Sequence, residues 1–210
     1  MQTRIEYETI LYALGASCIA GCDEAGRGPM AGPLTVACVV FEKGYYDARI
    51  NDSKKLTAKK REELYDLIVE NAKAFCIRVY DAKEVDQLNV YEASRQGMIE
   101  CVKSIGLNVD CVLTDAMPLR CDLHDLSLIK GDAKSMSIAA ASILAKVYRD
   151  RLMDEYDVMY PEYGFKKHKG YVTKSHKEAL KQYGPCPIHR YSFAPVKECK
   201  QKQLSLFEES

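Results

Sequence analysis

The chain contains the stretch SCIAGCDEAGRGPMAGPLTVACVVFE at residues 17–42. Two mostly apolar segments, 17–26 and 33–42, flank a connection rich in glycine and proline, and this pattern predicts two adjacent strands joined by a turn. The first strand is predicted to end at two neighbouring carboxylates, Asp23 and Glu24. Acidic turns on protein surfaces are common, so a solvated loop is the first explanation to test.

The rest of the sequence alternates strands with helices. Apolar segments predict a third strand at 74–82, a fourth at 110–118 and a short fifth at 126–132. Helical spacing and capping residues, among them Ser53 and Thr57, predict six helices. The helices are predicted at 4–14, 58–72, 84–88, 91–105, from 132 to just before 161, and at 174–182. This order predicts an α/β fold with three layers and a mixed central sheet, whose first three strands are antiparallel.

Composition restricts the partners and the compartment. The chain has 210 residues with 30 Lys and Arg against 30 Asp and Glu, so its net charge does not favour bulk binding to polyanions. The segment 166–202 nevertheless holds ten Lys or Arg against two acids, which indicates a local basic surface. No apolar run approaches the ~20 residues of a membrane span. The N-terminus lacks the apolar core of a signal peptide, so we expect a cytoplasmic protein with no membrane partner.

The nine cysteines do not form a recognisable disulfide pattern. Their number is odd and they are scattered through predicted strands and helices, which favours free thiols in a reducing compartment. Cys186 and His189 form one C-x-x-H pair, half of a zinc site with no second half in view. We therefore expect no structural zinc.

Four carboxylates occupy comparable places in the predicted elements. Asp23 and Glu24 end the first strand, Asp115 ends the fourth, and Asp132 opens the long helix. Ligands of open α/β sheets bind at the carboxyl ends of strands, and carboxylates that converge there repel one another unless cations lie between them. Taken singly, Asp132 could cap its helix and Asp115 its turn. Taken together, the four predict a site for Mg²⁺ or Mn²⁺.

The turn after the carboxylates contains Gly26, Arg27 and Gly28. Glycine has no Cβ, so the backbone can approach a ligand closely and bond a sugar hydroxyl. Arg27 could add a contact to phosphate or sugar. A lone G-R-G is a weak motif, but here it follows D-E and precedes P-x-A-G-P.

Together these segments resemble the ribonuclease HII family, the type 2 ribonucleases H of bacteria. Six blocks carry the resemblance, and they follow one another in the family's order over most of the chain. They are DEAGRGPMAGPL (23–34), NDSKKL (51–56), LTDAMPL (113–119), KGDAKSMSIAAASILAKVYRD (130–150), YPEYGFKKHKGY (160–171) and HRYSFAPV (189–196).

The resemblance implies a fold and an activity. The fold is ribonuclease H-like with a helical C-terminal extension, which gives a catalytic domain at 1–198 and a flexible tail at 199–210. The activity is endonucleolytic cleavage of the RNA strand in RNA–DNA hybrids, and nicking on the 5′ side of single ribonucleotides in duplex DNA. Such an enzyme serves ribonucleotide excision repair and RNA primer removal, and we expect it to act as a monomer.

The resemblance also assigns roles to residues. Asp23, Glu24, Asp115 and Asp132 are the catalytic, metal-binding carboxylates of a two-metal mechanism. The turn Gly26-Arg27-Gly28 recognises the 2′-hydroxyl, and Tyr171 stacks on the sugar of the following deoxynucleotide. Further residues are expected to contact the substrate, mostly at phosphates. They are Lys54, Lys55, Lys134, Ser137, Lys166, Lys167 and Lys169.

The end of the chain carries a candidate docking peptide. Gln203, Leu204, Ser205, Leu206 and Phe207 match the pentapeptide by which bacterial proteins bind the sliding clamp. In such peptides Leu and Phe insert into an apolar pocket while Gln bonds its rim. The alternative is that the same apolar residues pack back onto the domain.

Two rival functions make different predictions for these motifs. Another nuclease of the same fold class, such as a junction-resolving or transposase-type enzyme, would share scattered carboxylates but would not need the G-R-G turn. A non-catalytic hybrid-binding protein would have lost at least one of the four carboxylates, and all four are present.

Overall fold

The computed structural model describes residues 5–199 and contains the predicted mixture of strands and helices. The strands are β1 (Ile19–Ala25), β2 (Leu34–Val40), β3 (Ala74–Tyr80), β4 (Cys111–Asp115) and β5 (Asp125–Leu128). The helices are α1 (Glu6–Ala13), α2 (Ala58–Asn71), α3 (Ala82–Leu88), α4 (Val90–Ser104), α5 (Met136–Met159), α6 (Phe165–His168) and α7 (Lys174–Tyr183). Short 3-10 turns occur at Ser53–Lys55 and Gly131–Ala133. The prediction of an α/β fold is confirmed.

The five strands form one mixed sheet in the order β3-β2-β1-β4-β5. β1 pairs antiparallel with β2 as predicted, with Asp23 opposite Ala37. It pairs parallel with β4, where Cys22 lies opposite Thr114, and β4 pairs parallel with β5. Because β1 and β4 are parallel neighbours, their carboxyl ends lie at the same edge of the sheet.

The chain divides into two compact units. Within the described residues, unit 1 comprises 5–25, 35–79 and 94–147, and unit 2 comprises 26–34, 80–93 and 148–199. The predicted division into a domain at 1–198 and a tail at 199–210 stays a prediction, because the tail beyond residue 199 lies outside the described residues.

Unit 1 has helices on both faces of its strands. Alternate residues of β2, Ala37 and Val39, belong to a buried cluster that also contains Leu64 of α2 and Ile143 of α5. On the other face, the Cys101 side chain of α4 interacts with that of Cys38, which lies between Ala37 and Val39 in β2. The two sets of contacts use the two side-chain directions of one strand, which gives the predicted three layers.

Unit 2 has its own core around Phe165. The rings of Tyr163 and Phe165 stack with centroids 5.2 Å apart, and Met153 and Ile188 belong to the same buried cluster. The short helix α6 was not predicted, because it is a single turn between Gly164 and Lys169, which both have left-handed backbones.

The long helix begins later than predicted. Asp132 does not open it, since α5 starts at Met136 and Asp132 lies in the preceding 3-10 turn. The hydroxyl of Ser135 caps the helix instead by accepting the amide of Ile138 at 3.2 Å. A serine hydroxyl at this position therefore fixes the start of α5, and it leaves the Asp132 carboxylate available for other contacts.

The capping prediction before α2 is half right. Thr57 is the cap of α2 and accepts the amide of Lys60 at 3.2 Å. Ser53 caps no helix. It begins the 3-10 turn that Asp52 caps, and its hydroxyl bonds that of Ser142 at 2.9 Å.

Two predictions drawn from composition can be compared with the described residues. No helix among residues 5–199 is both long and apolar enough to cross a bilayer. All nine cysteines lie in this range and are free thiols, of which Cys121 is exposed and the others are at least partly buried.

Candidate active site

Asp23 and Glu24 lie inside β1 rather than in the turn that follows it. Asp23 is only 5% exposed, and its Oδ1 accepts the Glu24 amide at 2.8 Å. The hydroxyl of Ser142 on α5 also bonds the Asp23 carboxylate. A buried charge is thus placed on a central strand with only partial compensation from hydrogen bonds.

The pKa of Asp23 is raised by its buried position and by the negative charges around it. Burial raises the pKa of Asp23 well above its usual value, and the charges of Glu24 and Asp115 raise it further. The hydrogen bonds from Ser142 and from the Glu24 amide act in the opposite direction and do not cancel these effects. The ionised form is therefore disfavoured until positive charge is supplied.

Asp115 ends β4 and is held by the next turn of the chain. Its Oδ1 accepts the amide of Gly131 at 2.7 Å. A Cβ on Gly131 would lie 2.7 Å from Cδ1 of Ile138 and 3.3 Å from Cα of Asp115, so the turn approaches the strand end as only glycine can. Burial and the charge of Asp132 raise the pKa of Asp115, against the Gly131 hydrogen bond.

Asp132 is buried in the 3-10 turn and is reached by a lysine. The Lys54 ammonium lies 3.2 Å from Oδ2 of Asp132, with side chains 75% and 6% exposed respectively. Partial burial acts against the charged lysine, yet the hydrogen bond to Asp132 and the charges of Asp132, Asp23 and Asp115 raise the pKa of Lys54. Unit 1 thus places Asp23, Asp115 and Asp132 close enough for all three charges to act on Lys54. Glu24 lies next to Asp23 in the chain. These four residues are called the carboxylate cluster below.

The carboxylate cluster fits a hard divalent cation. Its oxygens repel one another, and a flexible lysine already supplies positive charge at Asp132. Within residues 5–199, no three side chains of His, Cys, Asp or Glu are grouped so that they could hold one ion. An ion here would take one or two carboxylates from the protein and its other ligands from water and substrate phosphate, which is common for Mg²⁺.

In unit 2, two buried arginines hold the turn at 26–33, called the glycine turn below. Arg149 and Arg190 are 1% and 0% exposed. Arg149 donates to the backbone oxygens of Pro33 at 2.8 Å and Ala31 at 3.3 Å, and Arg190 donates to that of Gly32 at 3.0 Å. Burial lowers the pKa of Arg149 to about 10 and of Arg190 to about 9, so both stay protonated at neutral pH.

The first glycine of the turn is required by its surroundings. Gly26 has φ +106°, and a Cβ there would lie 2.3 Å from Nε of Arg149 and 2.6 Å from the oxygen of Pro33. A side chain would therefore both strain the backbone and displace the arginine. The predicted sugar-contacting residues Arg27 and Gly28 are exposed.

Tyr171 lies beside Gly28. A Cβ on Gly28 would be 3.4 Å from Cε1 of Tyr171, whose side chain is 47% exposed. The backbones also meet, since the Met30 amide donates to the oxygen of Gly170 at 3.0 Å. Unit 2 thus brings together the predicted sugar-reading turn and the predicted stacking tyrosine.

The other predicted contact residues divide into exposed and engaged ones. Lys54, Lys55, Lys134, Lys166 and Lys167 are exposed.

Two residues of the same prediction are engaged with the protein. Lys169 is half-buried and its ammonium pairs with Asp154 and bonds the oxygen of Asp150. Ser137 is 4% exposed, and its amide donates to Oε1 of Glu8 at 3.1 Å. The tail residues Gln203, Leu204, Ser205, Leu206 and Phe207 lie outside the described residues.

Sequence reasoning gave the buried arginines no role. Arg149 stands at an apolar-face position of α5, in register with Ile138, Ala141 and Ala145, which are all fully buried. A charged residue at such a helical spacing is a signal for a buried, fully bonded side chain. Arg190 has no comparable periodic signal.

The mixed sheet and the carboxylates at the ends of β1 and β4 define a protein of the ribonuclease H-like class. The family model of ribonuclease HII matches residues 20–196. The chain belongs to the ribonuclease HII family, as its motifs indicated, and it is a ribonuclease H, a hydrolase that acts as an endonuclease. Dependence on divalent metal ions is general in this family.

Individual relatives agree with this assignment. A ribonuclease HII from Bacillus licheniformis is 53% identical over 196 residues, which are 93% of this chain and 77% of the relative. The structure of ribonuclease H2 from Pyrococcus horikoshii OT3 has a TM-score of 0.76 at 26% identity, covering 88% of this chain and 98% of its own. The structure of the PCNA:RNase HII complex from Archaeoglobus fulgidus has a TM-score of 0.68 at 25% identity, covering 85% and 96%.

Proposed function

We propose that this enzyme cleaves the RNA strand of RNA–DNA hybrids and nicks duplex DNA on the 5′ side of a single embedded ribonucleotide, leaving a 3′-hydroxyl and a 5′-phosphate. Its cellular roles would be the removal of misincorporated ribonucleotides and of RNA primers in the cytoplasm, as a monomer. The observation that carries the proposal is the carboxylate cluster, in which Asp23 is destabilised as an anion by burial and by the charges of Glu24 and Asp115.

Asp23, Glu24, Asp115 and Asp132 would hold Mg²⁺ or Mn²⁺. Such ions, when bound in pairs, supply charge that stabilises both the attacking and the leaving oxygen of an in-line phosphodiester displacement. The protein fixes the carboxylates through β1, the end of β4 and the 3-10 turn, and the Gly131 amide orients Asp115. The exposed Lys54 can bond Asp132 or a phosphate, because its long side chain is not packed.

Sugar recognition is assigned to the glycine turn. The Gly26-Arg27-Gly28 backbone, which is exposed at Arg27 and Gly28, would bond the 2′-hydroxyl, the group that distinguishes RNA from DNA. Tyr171 would pack on the next sugar and favour deoxyribose there, since an added hydroxyl would meet the ring. The contact between Gly28 and the Tyr171 ring supports a joint role.

Phosphates would be held by the exposed lysines named above, which position a duplex without reading its sequence. Lys169 and Ser137 support the site from within, Lys169 through Asp154 and Ser137 through Glu8. A direct substrate contact by either requires that these bonds open.

The C-terminal peptide would bind the bacterial sliding clamp. Support comes from its sequence and from the Archaeoglobus fulgidus ribonuclease HII, whose structure was solved with PCNA.

Deleting residues 203–207 should abolish clamp binding and leave cleavage of short duplexes unchanged. A truncated enzyme that melts several degrees lower would indicate packing onto the domain instead.

The test of the main proposal is cleavage of a duplex with one embedded ribonucleotide, beside all-DNA, all-RNA and RNA–DNA duplexes of the same sequence. We expect a single nick 5′ of the ribonucleotide, cleavage of the hybrid, and intact all-DNA duplex. Chelation by EDTA should stop both reactions. Cleavage of the hybrid without nicking at the single ribonucleotide would reject the proposed activity on embedded ribonucleotides. It would leave the assignment as a ribonuclease H in place.

A further inference from the structure

Three buried histidines lie behind Tyr171 in unit 2. His168, His176 and His189 are 9%, 0% and 1% exposed. The rings of His168 and His176 stack with centroids 4.3 Å apart, and Phe165 packs against all three histidine rings. Neither the metal site nor the lysine contacts use these rings.

A continuous chain of hydrogen bonds links two of these rings to Tyr171. The Cys186 amide donates to Nδ1 of His189 at 3.0 Å. Nε2 of His189 lies 3.1 Å from Nε2 of His176, and Nδ1 of His176 lies 2.9 Å from the backbone oxygen of Tyr171. Nδ1 of His189 also lies 3.1 Å from Sγ of Cys186, so every ring nitrogen in the chain has at least one partner.

The chain of partners fixes every proton. Because Nδ1 of His189 accepts, its Nε2 carries the hydrogen and donates to Nε2 of His176. Nε2 of His176 is then an acceptor, so the His176 hydrogen is on Nδ1 and points at the oxygen of Tyr171. A second proton on His176 would set two N–H groups against each other. Burial lowers the pKa of both His176 and His189 to about 4, in agreement with neutral rings.

The segment that leads into Tyr171 is strained and held at several points. Lys169 and Gly170 have positive φ of 50° and 83°. His168 compensates by accepting the Gly170 amide on Nδ1 at 3.2 Å and by accepting the Tyr171 amide on its backbone oxygen at 2.9 Å. Strained backbone that neighbouring groups over-determine is typical of functional positions.

We propose that His176 is a positioning residue for substrate recognition: it fixes the backbone of Tyr171, and thereby the half-exposed ring beside Gly28, while His189 sets the tautomer that makes this bond possible. The inference rests on the proposed contact of Tyr171 with the substrate. A ring that is held by its backbone loses less entropy when it packs on a sugar.

The test uses two substitutions of nearly the same shape, His176→Leu and His176→Asn, each also combined with Tyr171→Ala. The Asn amide can place its nitrogen where Nδ1 donates to the Tyr171 oxygen, and Leu cannot. We expect the Leu variant to lose about tenfold in kcat/KM on the single-ribonucleotide duplex, since small misplacements of a positioning group are costly. The Asn variant should retain most of the activity, and the Leu substitution should have no further effect in the Tyr171→Ala background.

Three results separate the claims. Equal losses for the Leu and Asn variants, or a Leu effect that persists in full without the Tyr171 ring, would overturn the positioning role. Full activity of Tyr171→Ala alone would instead reject the proposed substrate contact of Tyr171. If the Leu variant does not fold, His189→Leu is measured in its place. It leaves the His176 bond in reach but removes the donor that fixes the tautomer, and an unchanged kcat/KM would count against the proposal.

Discussion

The carboxylate cluster of unit 1 and the arginine pair of unit 2, Arg149 and Arg190, both hold charges that are buried or partly buried, and these charges are compensated differently. Backbone oxygens of Pro33, Ala31 and Lys169 bond all three side-chain nitrogens of Arg149. Those of Gly32 and Arg27 bond Arg190, whose Nη2 has no hydrogen-bond partner among the described residues. Asp23 has neighbouring charges of its own sign, and these raise its pKa together with burial. The arginine charges are compensated largely within the folded chain, whereas under the proposed function the carboxylates would need a cation from outside.

This difference separates stability from function. Removing a compensated buried charge leaves its partners unsatisfied and costs stability. Removing a charge that its neighbours repel relieves the fold and costs only the function for which the charge is held. Substitutions in the arginine pair should therefore lower stability, and substitutions in the carboxylate cluster should lower activity without lowering stability.

The largest expected effect is on catalysis by Asp23→Asn. Loss of a carboxylate that is proposed to hold the metal should lower the cleavage rate by on the order of 10³-fold. The thermal midpoint measured in EDTA should stay equal or rise, because one of the mutually repelling charges is gone. A variant that cleaves at the parent rate would remove Asp23 from the metal site.

Asp110, directly before β4, provides a control carboxylate. Its carboxylate accepts the Ser17 hydroxyl at 2.7 Å and the amides of Ser17 and Cys18, both at 2.8 Å, and these bonds lower its pKa. Asp110→Asn should lower the melting temperature and leave the cleavage rate unchanged, the reverse of Asp23→Asn. If both variants lose stability alike, the distinction between the two kinds of carboxylate fails.

The next effect is on stability, from Arg149→Met. The substitution removes donors from the oxygens of Pro33, Ala31 and Lys169 and should cost about 3 kcal/mol in the free energy of unfolding. Arg149→Lys keeps the charge but not the forked geometry, so its free energy of unfolding should lie between those of the parent and Arg149→Met. Chemical denaturation measures all three proteins, and an unchanged midpoint for Met would show that the arginine does not hold the turn.

Gly28→Ala should have a smaller and more selective effect. The new Cβ would be 3.4 Å from Tyr171, at the tight end of ordinary contact, and φ of Gly28 is not positive, so folding should change little. We expect about a tenfold loss in nicking at a single ribonucleotide, since the methyl group stands where the sugar would approach. The matched variant Gly26→Ala should destabilise the fold as well, because its Cβ would meet Arg149 at 2.3 Å. Parent-rate nicking by Gly28→Ala would mean that the sugar is read elsewhere.

The smallest effect is on the pH dependence of stability in EDTA. The folded state holds the proton of Asp23 up to a higher pH than the unfolded state, whose value is near 3.8, so acidification relieves this group and adds stability. His176 and His189 act oppositely. Their pKa values fall from 6.5 to about 4, so the unfolded state gains protons first and stability is lost as the pH falls through that interval.

Two variants separate the contribution of Asp23 to the pH dependence of stability from that of the histidines. Asp23→Asn should lose more stability on acidification than the parent, and His176→Asn should lose less. Guanidinium denaturation at neutral and mildly acidic pH gives both differences, and identical pH profiles for the three proteins would refute the assigned pKa shifts.

Sequence patterns anticipated the elements whose signal is local. The apolar segments around the glycine turn predicted β1 and β2, and Thr57 correctly marked the start of α2. The start of α5 was misplaced, because Asp132 and Ser135 are both good capping residues and only packing decides between them. Since Glu8 of α1 binds the first turn of α5 through Ser135 and Ser137, the decision depends on residues over 120 positions away.

The grouping of the four carboxylates was foreseen because strand ends and acidic residues can both be read locally, and its members lie within unit 1. Their role in holding metal stays a prediction. The arginine pair and the histidine chain were not foreseen, because their bonds join residues distant in sequence or depend on tautomers. Arg149 donates to an oxygen 116 positions earlier, and Arg190 to one 158 positions earlier. Such contacts exist only after the fold has formed.

The most direct test of the account is calorimetric titration of Mn²⁺ into the parent enzyme, Asp23→Asn and Gly28→Ala. If the carboxylates hold the cation and the glycine turn reads the sugar, Asp23→Asn should bind Mn²⁺ at least about tenfold more weakly. Gly28→Ala should bind it with the affinity of the parent while nicking poorly. Parent-like binding by Asp23→Asn, or weakened binding by Gly28→Ala, would contradict the division of roles between the two regions.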